Sequence, residues 1–322
     1  MKRIVAFILI CIMIAGALSG CGYASSAEER EPVFSLLGFD VPYEVYRFYV
    51  MTAKVEHGLL DEEGNTVTTD AELLAKAEKT AMDSICNLYA ALYVAEQYGM
   101  HVDDEFVVKE AERYFDSLKA TYESESDFRE DMQAAYMNKS VVMLVYSAEY
   151  LQNEAYARAL EDGSIDRSKE ALRAFFASDE LIRVKHILLQ PSVFTNAKDM
   201  ANTAHAKALA AESFDEVFDL YKKSGIYTEE RYVARGETLE SFEDAAFALA
   251  VGELSPVVQT SAGYSILMRY EKDPAILEEE WESFEEKYCV YCFNRFLEEA
   301  KEAIDIQYYD AYSSYSFAEI GG

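Results

Sequence analysis

The sequence predicts an α+β protein in two parts, an all-helical N-terminal region and a smaller mixed domain, and three observations predict it. Apolar residues recur at helical spacing through most of residues 34–178. Near residue 181 the pattern changes to a β-prone run, followed by helices and then paired strands. The chain also has material for two cores: 322 residues, 51% of them hydrophobic and 13% aromatic, with only 5 Pro and 14 Gly. That composition and length exclude a disordered acidic chain or a collagen-like one and favour two domains over one.

The elements follow in chain order. Residues 1–20 carry Lys2 and Arg3, the apolar run Ile4 to Ala15 and then small residues, the layout of a secretory signal. They end in Leu18-Ser19-Gly20-Cys21, which resembles the bacterial lipobox, where the Cys is lipidated and becomes the N-terminus. An uncleaved anchor with an incidental Cys is the alternative. Both readings place the bulk of the chain outside the cytoplasm. A polar linker, residues 21–33, leads from Cys21 to a brief extended stretch at Phe34 ending at Pro42, then a helix. Met82, Ile85, Leu88, Tyr89, Leu92 and Tyr93 mark an amphipathic helix from about Thr69 to Gly99, with Thr69 or Asp70 as N-cap and Gly99 as stop. Asp103 or Asp104 caps a helix to about Ala120, Asp127–Ala135 reads as a short one, Val141 to Leu151 continues the theme, and a last helix runs from Ser168 to Phe176.

Leu181–Leu189 then reads as a strand ended by Pro191, with Ile182, Val184, His186 and Leu188 on one face. Helices are expected from Asn196 to Ala211 and from Phe214 to Lys222, and a short strand over Tyr232–Ala234. Ser241 is placed to cap a helix carrying Phe242, Ala245, Ala246 and Leu249, with Asp244 completing a capping box and Gly252 beyond its end. Pro256–Thr260 and Tyr264–Tyr270 read as strands about Ser261-Ala262-Gly263. One acidic helix is predicted over Ile276–Ile304. The Tyr-rich segment from Gln307, within the tail 305–322, shows no periodicity.

Charge excludes one class of partner. With 29 basic against 59 acidic residues the net charge is −30, so nucleic-acid binding by phosphate neutralisation is excluded. Loss of the signal removes Lys2 and Arg3 and no acid, taking −30 to −32. A protein so acidic is repelled by an anionic surface, so lipid on Cys21 must supply attachment to the bilayer. No EF-hand-like run appears, and solvated acidic faces explain the charge.

Five cysteines divide as Cys11 in the signal, Cys21 at the lipobox, and Cys86, Cys289 and Cys292 in the body. Cys289 and Cys292 form a C-x-x-C inside the helical stripe Trp281, Phe284, Tyr288, Cys292, Phe296, which reads as packing rather than a zinc half-site or redox pair. No G-x-S-x-G, H-E-x-x-H or P-loop occurs, and four histidines supply metal sites poorly. His57 and His101 sit at helix ends and His205 on a polar helix face.

His186 differs in its neighbourhood. Arg183-Val184-Lys185-His186-Ile187-Leu188-Leu189 resembles the opening strand of the parvulin family of peptidyl-prolyl isomerases. Arg235-Gly236, Ser241-Phe242-Glu243-Asp244-Ala245-Ala246-Phe247-Ala248-Leu249, Gly252-Glu253-Leu254-Ser255-Pro256-Val257 and Gly263-Tyr264 then follow the family's second half in order and spacing. The resemblance covers residues 181–273 and implies a small antiparallel sheet flanked by helices. Together with the lipobox and the helical region, the chain resembles the extracytoplasmic foldase lipoproteins of the PrsA/SurA-like group. That resemblance implies that the helix at 276–304 packs on the N-terminal helices (34–178) to form a chaperone module, and that the partners are unfolded or nascent secreted polypeptides.

It further implies prolyl cis-trans isomerisation, weak here and needing no cofactor or metal, or, as the alternative, a non-catalytic holdase with a degenerate parvulin domain. Carried over by position, His186 is a polar catalytic group, Phe242 the floor of the proline slot, and Thr260 a neighbouring Thr. Three positions depart from the pattern. Ser265 replaces a second His, Lys223 or Ser224 stands where members carry an acid or Cys, and Thr238, or Leu239 with a one-residue slip, replaces a slot Met. The family's Gly-rich turn is replaced by Thr228-Glu229-Glu230-Arg231-Tyr232.

Overall fold

A computed structural model describes residues 30–61 and 63–321; the signal, Cys11 and the lipobox with Cys21 lie outside the described residues. Contacts divide the chain into two compact units, one of residues up to Glu161 together with Phe296 onward, the other Asp162–Arg295.

In the first unit the extended stretch is a hairpin, β1 (Phe34–Leu36) and β2 (Phe39–Val41). Leu37 and Gly38 turn it with φ of 51° and 87°, left-handed at both central positions as a two-residue hairpin turn requires. Five helices follow: α1 (Tyr43–Glu56), α2 (Ala71–Gln97), α3 (Glu105–Lys119), α4 (Glu125–Ala134) and α5 (Lys139–Glu161). Asp70 caps α2, its carboxylate accepting the N–H groups of Glu72 at 2.9 Å and Leu73 at 3.3 Å. The predicted stripe of α2 buries Ile85, Leu88, Tyr89 and Leu92. Helix α4 begins before the predicted Asp127, because Ser124 takes the Asp127 N–H at 3.1 Å and so caps one turn earlier. The tail, unassigned by periodicity, supplies a third strand, β7 (Gln307–Tyr308), antiparallel to β1, and a short 3₁₀ turn at Asp310–Ser314.

The second unit holds α6 (Lys169–Ala177), β3 (Leu181–Leu189), α7 (Ala197–Ala210), α8 (Phe214–Lys223), β4 (Tyr227–Ala234), α9 (Glu240–Ala248), β5 (Val258–Thr260), β6 (Gly263–Tyr270), α10 (Pro274–Glu279) and most of α11 (Trp281–Glu302). Its four strands form an antiparallel sheet in the order β4-β3-β6-β5. On one face Ile187, Leu189 and Ile266 pack against Ala201 and Ala204 of α7 and Phe214, Val217, Phe218 and Tyr221 of α8. On the other, Ile182, Val184, Val233, Val258 and Leu267 pack against Phe242 and Ala246 of α9. The alternation read from β3 is thus the division between the two cores. At Gly263 an added Cβ would lie 2.5 Å from the Leu189 carbonyl, so only Gly lets the β5–β6 turn close on the end of β3.

Several boundaries differ from the sequence reading. β4 is eight residues long rather than three, because its polar half, Tyr227 to Arg231, pairs with β3 from Leu188 back to Val184. Helix α9 starts after Leu239, with no side-chain cap; Ser241 lies within its first turn, and Glu243 rather than Asp244 reaches back, accepting the Gly236 N–H at 2.8 Å. The expected single helix from Ile276 breaks at Glu280 (φ −116°, ψ 33°) into α10, capped by Asp273, and α11. Residues 162–178, read as part of the helical domain, group with the sheet, since Leu172, Phe175 and Phe176 of α6 bury against Leu181, Ala234 and Phe284. The Trp281–Phe284–Tyr288 stripe of α11 joins that cluster. Cys289 and Cys292 are free thiols, and burial pushes both above the ordinary thiol range, against a redox role.

Candidate functional site

Strand β3 points His186 to the α9 face of the sheet, where the residue is 6% exposed. Register places Leu267 of β6 opposite it on one side and Glu229 of β4 on the other. Its Nε2 lies 3.2 Å from Glu229 Oε2. The Phe242 ring meets it edge to face, with centroids 5.2 Å apart at 77°, and Tyr227 stands at 5.7 Å. Phe242, at 7% exposed, is also a member of the sheet core.

Electrostatics fix the state of this pair. Burial pushes the His186 imidazole below its ordinary range, and the Glu229 hydrogen bond and charge offset this only in part. Burial opposes ionised Glu229 as well, but the His186 hydrogen bond, the Arg231 charge and the Tyr227 hydroxyl, which donates at 3.1 Å, together hold it below the usual carboxylate range. A neutral imidazole beside a carboxylate can bond it only through Nε2–H. Nδ1 is therefore the bare acceptor, and it is buried without a partner. Thr238 Oγ1, in the turn before α9, is buried and unpartnered too. Leaving such an atom without a partner in a dry interior costs about 1–3 kcal/mol, so each needs a water or another polar group beside it.

A chain of charges backs Glu229. Arg231 lies 3.5 Å from Glu229 and 2.7 Å from Glu237, and Glu237 also takes the Ala234 N–H at 2.9 Å and Lys287 of α11 at 2.6 Å. Burial raises the Glu237 carboxyl, but these donors outweigh it and hold it below the ordinary range.

The structure gathers some of the sequence-predicted residues and scatters others. Ser265 is 2% exposed and sits on the His186 face, opposite Leu188 and Val258, one non-adjacent pair along from Leu267. Leu239 is 45% exposed at the N-cap of α9, next to the half-buried Thr238. Thr260 is committed to the β5–β6 turn, its hydroxyl donating to the Gly263 carbonyl at 3.3 Å and accepting the Ala262 N–H at 3.1 Å. Ser224 does not join: it ends α8, which covers the opposite face of the sheet, and its hydroxyl donates to the Leu220 carbonyl at 2.9 Å. Lys223 ends the same helix. The acid facing His186 is Glu229, which sequence reasoning missed; strand alternation counted back from Val233 through Arg231 was the signal that finds it. A cavity of about 560 Å³ in this unit, lined by Arg173, Phe176, Ile182, Arg269 and Leu277, does not include His186.

Residues 168–276 match the family described as the PPIC-type PPIASE domain. The chain is 27% identical over 173 residues to Foldase protein PrsA of Oceanobacillus iheyensis, covering 52% of this chain and 54% of that one. It is 37% identical over 78 residues to Peptidyl-prolyl cis-trans isomerase ESS1 of Saccharomyces cerevisiae, covering 24% and 43%. The chain thus spans about half the length of these relatives. The crystal structure of the PrsA peptidylprolyl isomerase of Bacillus anthracis aligns with 68% of this chain and 96% of that one, at 19% identity and a TM-score of 0.29. The Asp162–Arg295 unit therefore carries a parvulin-type PPIC domain, in a chain with PrsA foldases among its relatives.

Proposed function

We propose that the chain is an extracytoplasmic foldase, tethered to the membrane by lipid on Cys21, that binds unfolded exported polypeptides and weakly isomerises their X-Pro bonds. The observation that carries the isomerase half is the grouping on one sheet face of neutral His186, ionised Glu229 and the Phe242 ring, with His186 Nδ1 buried and unpaired.

The reaction needs no cofactor. Rotation about X-Pro meets a resonance barrier of roughly 18–20 kcal/mol, and a catalyst must bind the twisted amide better than the planar one. Apolar surroundings favour the twisted form, whose charge separation is smaller. In this reading Phe242, with Leu239 at its rim, receives the proline ring and strips water from the amide. Glu229 is a positioning residue that keeps the His186 proton on Nε2, so that Nδ1 faces the substrate only as an acceptor; the Thr238 hydroxyl can donate or accept. Ser265 completes the polar edge, and Ser224 takes no part.

A proline tetrapeptide assay tests this. The wild type accelerates isomerisation above background, and His186→Ala and Phe242→Ala abolish the gain. Burial of His186 and Phe242 favours a second reading, a holdase whose parvulin domain no longer turns over. A wild-type rate equal to background, with aggregation of an unfolded client still suppressed, selects that reading.

A further inference from the structure

Lys54 is fully buried in α1, an unusual place for a lysine, and no carboxylate among the described residues pairs with it. Its Nζ donates to the Ile320 carbonyl at 2.5 Å and to Thr66 Oγ1 at 2.8 Å, and lies 5.0 Å from the centre of the Phe317 ring. Seven residues earlier on the same helix face, Arg47 donates to the Gly321 carbonyl at 3.1 Å. Two cations thus read two consecutive main-chain carbonyls of the tail. The tail meets them as a single turn, Ile320 N–H bonding the Ser316 carbonyl at 3.1 Å, which sets Phe317 and Ile320 on one side as anchors 7% and 5% exposed. Beside the turn a cavity of about 360 Å³ opens between Tyr315 and Phe317 and the first turns of α2, at Leu74 and Glu78.

These features are those of a ligand in a site. A core that needed only volume would be filled more cheaply by Met than by an unpaired buried cation. Main-chain carbonyls carry no sequence information, so the donors tolerate any peptide, and selectivity is left to two apolar pockets three residues apart. We infer that the Arg47–Lys54 face of α1 is a binding site for a short peptide turn bearing an aromatic residue and an aliphatic one three positions on, occupied in this chain by its own residues 316–321. Apolar segments of unfolded clients with the same chemistry compete for it, which deepens the client-binding half of the proposed function and rests on it. The tail then acts as a built-in competitor, released when a client arrives.

The test uses the full chain and a fluorescein-labelled peptide of residues 312–321 as probe, read by anisotropy. A tethered competitor at high local concentration masks the site in the wild type. The Phe317→Ala/Ile320→Ala double variant, its helical circular dichroism unchanged, is expected to bind the probe about ten-fold or more tighter than wild type. A probe carrying Phe317→Ala loses that binding, and a reduced, carboxymethylated unfolded protein displaces the intact probe. Equal probe binding by wild type and double variant overturns the site. Binding that the unfolded protein fails to displace overturns client competition and leaves a structural clamp. Should the double variant lose its helical signal, Ile320→Ala alone is read by the same criteria. Absence of prolyl isomerisation with probe binding intact removes the catalytic half of the proposed function and not this site.

Discussion

His186 and Lys54 are the two buried side chains in the described residues that can carry positive charge, and they are handled in opposite ways. Burial lowers both, the lysine to about 8. His186 is given a carboxylate, Glu229, itself held by Tyr227 and Arg231, yet keeps one nitrogen bare. Lys54 is given no carboxylate, and its charge is met by a hydroxyl, a carbonyl and a ring face. A counter-ion leaves a group's protonation defined whatever else binds, which suits a polar atom waiting for substrate. Neutral acceptors leave the cation satisfied only while something occupies the site, which suits a group that gauges occupancy. The same cost, desolvation of a base, is offset permanently in the sheet domain and conditionally in the helical unit.

The contrast is broken most severely at Phe242. Phe242→Ala removes a core ring that the proposed mechanism also uses as the floor of the proline slot, and is expected to destabilise the sheet domain by about 3–5 kcal/mol by denaturant unfolding, with loss of isomerisation. Glu229→Gln comes next. It keeps the shape but removes the charge, with an expected cost of about 1–3 kcal/mol. The folded His186 pKa lies below its unfolded value of about 6.5, so the unfolded state binds the extra proton and stability falls as pH drops below that value. The variant lowers the folded pKa further, so the fall continues to lower pH than in the wild type.

At Lys54 the sign is read at the other end of the scale. Its folded pKa of about 8 lies below the unfolded 10.5, so stability rises with pH from about 8 towards 9.5, before exposed tyrosines ionise. Lys54→Met is expected to flatten that rise relative to wild type in urea unfolding across this window. The smallest effect is at Thr238. Thr238→Val removes an unpaired buried hydroxyl, and is expected to gain up to about 1 kcal/mol while isomerisation falls, a split that pure packing does not produce.

How much of this was legible in the sequence differs between the two regions for a physical reason. Alternation in β3 and the run from Phe242 to Leu249 are local patterns, so the two faces of the sheet followed from them, whereas the grouping of Phe242 with His186 came only from the family resemblance. Glu229 did not, because Thr228 to Tyr232 lacks apolar alternation and is a strand only through pairing with β3. Ser224 was placed by alignment with a turn that this chain lacks, while the helix it ends packs on the wrong face. In the helical unit the stripe of α2 announced itself, but the tail did not. Tyr308 pairs with Phe34 across the length of the chain, and a lone Lys54 in an apolar run gives no periodic signal of its own.

The most direct test of the central claim, that burial holds His186 neutral while Glu229 keeps its proton on Nε2 and leaves Nδ1 free for substrate, is ¹⁵N NMR of the histidine rings at pH 7, without and with a proline tetrapeptide. The account predicts a His186 resonance pair typical of the Nε2–H tautomer, with the Nδ1 shift moving on peptide addition and no such movement in Phe242→Ala. A charged ring, an Nδ1–H tautomer, or an Nδ1 shift indifferent to the peptide would contradict it.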